Sequence, residues 1–78
     1  MTVTTPSGKE FNCDKATASA QPRRVYLHLI DTSLIEVMMT VSAEYGLPFE
    51  QYPEYRAVES ISNSMYGVNL VLKRIGDE

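Results

Sequence analysis

Polar and apolar residues alternate most regularly from Arg23 to Ile30, where Val25, Leu27 and Leu29 point one way and Tyr26, His28 and Ile30 the other. A two-residue period is that of a strand, and apolar residues on both sides predict a central strand partly covered on its second face. Val68, Leu70 and Leu72 repeat the period against Asn69, Val71 and Lys73, so Val68 to Ile75 reads as another strand. Tyr55 to Ser62 is its hairpin partner, joined through Asn63-Ser64-Met65-Tyr66-Gly67 as a five-residue loop. Near the start, β-branched Thr2 to Thr5 meets a turn at Thr5-Pro6-Ser7-Gly8, with proline second and glycine fourth. Lys9 to Cys13 then returns alongside, with Phe11 and Cys13 facing inward. The small polar stretch Asp14 to Pro22 fits a loop or a weak edge strand equally well.

The segment after Asp31 changes period. Ser33 with Glu36 fits a capping box, and Leu34, Val37, Met38, Val41 and Tyr45 fall on one helical stripe opposite Glu36, Thr40, Ala43 and Glu44. Ile35, Val37, Met39 and Val41 also alternate as a strand would. The cap, the length, and the stop at Gly46 and Pro48 favour a helix over residues 33–45. Leu47 to Glu54 reads as a loop and Gly76 to Glu78 as a frayed tail. The expected architecture is α+β: one domain spanning 1–78, an antiparallel sheet of four or five strands, and one helix packed on a face. The spatial order of the strands is not readable from the pattern.

Composition narrows the function. Seventy-eight residues bury only about 60% of the surface an unfolded chain exposes. One cysteine and one histidine permit neither an internal disulfide nor a Cys/His zinc site, so no metal or other cofactor is expected. A domain so short of core is expected to rely on packing, or on a second copy or partner. With 44% apolar residues, 22% charged residues and a net charge of −3, the chain has the balance of a folded protein. That balance does not favour nucleic acid. Met1 to Gly8 has no signal-peptide character, and no apolar run reaches the roughly 20 residues of a membrane span. The expected location is cytoplasmic.

Few residues offer chemistry. Cys13 and His28 form the one thiol–imidazole pair, but nothing in their spacing brings them together. Cys13, in phase with Phe11, reads as a small buried hydrophobe. His28 has no neighbour that the sequence can name, so the chain is read as non-enzymatic. Glu44, Glu50, Glu54 and Glu59 read as solvated charge. Aromatics supply the candidate partner surface: Phe49, Tyr52 and Tyr55 lie among Pro48 and Pro53, with Tyr66 in the hairpin loop. These rings could equally fold down to close the core. Arg23, Arg24, Lys73 and Arg74 with Tyr26 would form a nucleic-acid patch if the last strand lies beside the Arg23 strand. Basic residues at strand ends also serve simply as edge protection.

The run Gly8 to Asp14, followed by Pro22 to Leu27 and Asp31 to Val41, resembles a group of short proteins encoded in bacteriophages, prophages and related mobile elements of gut Firmicutes. Tyr52 to Leu72 is similar as well, so the likeness covers most of the chain. It rests on a turn glycine, apolar core positions and Asp31 before a helix, and it brings no catalytic residues to carry over. The resemblance implies an accessory or virion-associated role. The reading is therefore a self-associating protein-interaction module, with a small nucleic-acid binder as the alternative.

Overall fold

The computed structural model describes residues 1–21, 23–44 and 49–74. Five strands and one helix follow one another as β1 (Thr2–Thr4), β2 (Glu10–Ala20), β3 (Arg23–Ile30), α1 (Leu34–Glu44), β4 (Ala57–Ser64) and β5 (Gly67–Lys73). All neighbouring strands are antiparallel, and they lie in the order β1-β2-β3-β5-β4. The α+β architecture is as the pattern predicts, and β3 is the central strand.

Local chemistry explains the ends of these elements. Thr5 O accepts from Gly8 N at 3.0 Å, closing the expected turn, and Gly8 takes a φ of 96° that glycine adopts without strain. Thr5 itself is fully buried, and its Oγ1 accepts from Lys9 N at 3.1 Å. Asp31 bends the chain out of β3 in the left-handed region at φ 57°, which a short polar side chain tolerates. Ser33 caps α1: its Oγ accepts from Glu36 N, and its carbonyl accepts from Val37 N. The box is not reciprocated, because the Glu36 carboxylate takes Thr32 Oγ1 and Lys9 Nζ instead.

Three expectations change. The undecided stretch after Cys13 is strand: β2 runs on to Ala20 through a bulge between Cys13 and Lys15. The bulge shifts the phase, so Phe11 and Cys13 face the core before it and Ala16 after it. The hairpin loop is two residues long, Met65-Tyr66, because pairing continues to Ser64 opposite Gly67. Among the described residues, no element lies over the second face of β3. Tyr26 is 43% exposed there, while His28 and Ile30 are half-buried among their neighbours. The expected helix stop at Gly46 and Pro48, Tyr45 and the tail lie outside the described residues.

One face of the sheet carries the core. Val25, Leu27 and Leu29 on β3 and Val68, Leu70 and Leu72 on β5 are buried together under Val37 of α1 and Phe49 of the following loop. Gly67 allows the tightest approach, since a Cβ there would lie 1.9 Å from the Leu29 carbonyl oxygen. Backbone cannot yield as a flexible side chain does, so Gly67→Ala is expected to cost about 2–3 kcal/mol, read as a lower midpoint in urea unfolding.

Candidate functional site

Three surfaces could do work: the loop after α1, the outer side of α1, and the uncovered face of the sheet. In the loop, Phe49 is fully buried and meets Phe11 edge-on at 6.4 Å, which corrects its assignment to a partner surface. Tyr52 and Tyr55 stack edge-to-face at 6.4 Å and pack half-buried against the core. Successive turns order this loop, with Tyr52 N donating to Phe49 O and Tyr55 N to Tyr52 O. Its start is pinned to β1 by Glu50 N donating to Thr4 O at 2.9 Å. Tyr66 is 77% exposed beside Met65, at the far end of β4. Eight residues of strand, about 26 Å, separate Tyr66 from Tyr55. The four aromatics thus form no common surface. Phe49, Tyr52 and Tyr55 instead close the core of a short chain.

The helix departs from its expected pattern. Val37 is buried, Leu34 and Val41 lean on the core, but Met38 is 51% exposed and turned outward. With Ile35 at 70% and Met39 at 67%, it makes an apolar stripe that continues into Ser42 and Ala43. Glu36, Thr40 and Glu44, expected to face solvent squarely, form one flank instead. Lys9 Nζ pairs with Glu36, and Ser7 Oγ donates to Glu44, tying that flank to the β1–β2 turn.

The uncovered sheet face gathers most of the polar chemistry. Register places Arg24 opposite Lys73 and Tyr26 opposite Val71, so Arg24, Tyr26 and Lys73 share this face. Arg23 and Arg74 are one residue out of phase, and Arg74 instead approaches Glu54, at 3.5 Å. The basic patch is therefore split: three of its five residues come together. Lys15 and Thr17 of β2 lie on the same face. A depression of about 280 Å³ opens between β2 and β5, bordered by Lys15, Thr17, Tyr26, His28, Asn69 and Val71.

His28 has neighbours after all. Its Nδ1 lies 2.6 Å from Asp14 Oδ1, and its Nε2 lies 2.6 Å from Ser64 Oγ. Asp14 is the extra residue of the β2 bulge, and Glu59 is the extra residue of a second bulge between Val58 and Ser60. Each bulge thus inserts an acid that reaches a cation or imidazole of β3, since Glu59 Oε1 lies 2.9 Å from Arg24 Nε. Cys13 sits on the opposite, buried side, donating its Sγ to Lys15 O at 3.0 Å. The thiol and imidazole that composition singled out are separated by the sheet.

The pairing of Ser64 with His28 escaped the sequence reading because the two lie 36 positions apart and on strands separated by β5. Asp14 could be found only by recognising a bulge. Among the described residues, no group of three or more His, Cys, Asp or Glu side chains is placed to hold a metal ion. Among the same residues, no helix is long and apolar enough to cross a membrane. Comparison with known protein families, curated proteins and solved structures finds no match.

The Lys9–Glu36 pair bordering the helix stripe sets a pH dependence. Hydrogen bonding from Lys9, then from Thr32, with the Lys9 charge adding to both, holds the Glu36 carboxyl below its ordinary value. A carboxyl that binds its proton less readily when folded stabilises the fold at neutral pH, and that contribution disappears on acidification. Glu36→Gln is thus expected to melt below the wild type at neutral pH. The gap should close near pH 3, in paired thermal scans.

Proposed function

We propose that the chain is a protein-interaction module that self-associates through the outer side of α1. The observation that carries this reading is the exposure of Ile35, Met38 and Met39 along one helical stripe of a domain with little core to spare. A helix whose outward side is merely solvated would present charges there; this one keeps its carboxylates on the flank. The bulky residues occupy the N-terminal half of the stripe, and Ser42 and Ala43 the C-terminal half. Two copies meeting antiparallel about a two-fold axis would set large against small along its length. Methionine adapts its shape to such a contact.

Full burial of three such side chains is worth at most about 1.5–3 kcal/mol each, against several kcal/mol lost in association. A weak, concentration-dependent dimer follows. The resemblance to short phage and mobile-element proteins fits this reading, which makes the chain an accessory component, cytoplasmic or carried in a virion.

A second reading has its own support: Lys73 and Lys15 with Tyr26, beside the Glu59-paired Arg24, place two cations and a ring on one sheet face. Such a surface would hold single-stranded nucleic acid by phosphate contacts and stacking.

Sedimentation velocity across a concentration series is expected to show monomer and dimer in exchange for the wild type, and monomer only for Met39→Glu at unchanged melting temperature. A wild type that stays monomeric at millimolar concentration, or a Met39→Glu protein that dimerises equally well, refutes self-association. For the second reading, single-stranded binding should weaken with salt at a log–log slope of about −1.4 for two phosphate contacts, and Lys73→Glu should flatten that slope.

A further inference from the structure

The Asp14–His28–Ser64 chain lies on the side of the sheet away from α1 and is independent of self-association. We propose that Ser64 is a nucleophile, activated by His28 and oriented through Asp14, that takes an acyl group from small carboxylic esters arriving over the open sheet face. An ionised carboxylate only accepts, so the neutral ring carries its proton on Nδ1 toward Asp14. Nε2 then presents a lone pair to the Ser64 hydroxyl, 2.6 Å away. Nucleophile, base and orienting acid are thus in the sequence of contacts that acyl transfer requires.

Two features of the backbone and one of the surface converge on this arrangement. The β2 bulge turns the Asp14 carboxylate toward the ring. The β5 residue between Ser64 and Ile30 in the ladder is Gly67, whose missing side chain leaves the diagonal from Ser64 to His28 open. His28 also borders the 280 Å³ depression, whose Tyr26 and Val71 walls suit a short acyl chain and whose Lys15 suits a carboxylate.

The chemistry balances without a further reactant besides water. Ser64 Oγ bonds to the ester carbonyl carbon while its proton passes to His28 Nε2. The carbon–oxygen bond to the leaving alcohol breaks, and the alkoxide takes that proton. Water, deprotonated in turn by Nε2, attacks the acyl-serine; the bond to Oγ breaks, the acid departs and the hydroxyl recovers its proton.

The test treats the folded 78-residue protein with a fluorophosphonate probe and maps the adduct by mass spectrometry, with p-nitrophenyl acetate hydrolysis as a second readout. The adduct is expected on Ser64, formed much faster than in the urea-unfolded chain, and absent in Ser64→Ala. His28→Gln should slow labelling about 100-fold, as loss of a general base does. Asp14→Asn should slow it too, with the wild-type circular dichroism spectrum retained. Labelling no faster than in the unfolded chain, or undiminished in a folded His28→Gln protein, overturns the proposal. So does ester hydrolysis by Ser64→Ala at the wild-type rate, which assigns the activity to the imidazole alone. Should a variant unfold, the folded-to-unfolded labelling ratio of the wild type decides.

Discussion

Everything in this molecule answers to one shortage of cover. Five strands at about 4.8 Å spacing set their outer axes about 19 Å apart, and one face must be kept from water. An eleven-residue helix is about 16 Å long and about 10 Å across. Such a helix cannot roof the whole sheet. α1 lies over the β4–β5 side, and the loop beginning at Phe49 completes the roof above Phe11 and β1. The aromatic density of the loop follows from this geometry. Few residues are available, so each must bury a large area, and rings do so at low conformational cost.

The same shortage explains the second face. Among the described residues, the helix and the loop from Phe49 both lie on the core side, and none covers β3 from the other. Its side chains therefore satisfy one another across the strands, through Glu59 to Arg24 and Asp14 to His28 to Ser64. A part-exposed ion pair such as Glu59–Arg24 contributes little to stability, about 0–1 kcal/mol. The effect of these contacts is to hold polar groups in fixed mutual positions on a surface that solvent and ligands reach.

Much of the fold was legible in the amino acids themselves. Turn chemistry at Thr5 to Gly8, the cap at Ser33 and the alternation of β3 and β5 are local signals, and each is found where expected. What escaped is non-local or out of phase. Ala16, Thr17 and Ala18 are too small to announce a strand, and the bulge before them breaks the alternation a reader would count. The outward apolar stripe was obscured because α1 is apolar on both sides, leaving little contrast to fix its rotation. The His28–Ser64 contact was hidden by the strand order. Residues 28 and 64 meet across the intervening β5, and no spacing rule encodes that.

The β2 irregularity has a meaning in terms of insertion and deletion. Cys13 pairs with Leu29 and Lys15 with His28, so the ladder skips Asp14. Excising that single position would leave an uninterrupted strand, with Cys13 and Ala16 still turned to the interior and Lys15 still outside. Packing therefore has no use for the fourteenth residue. What a shortened chain would lose is the acid beside the imidazole.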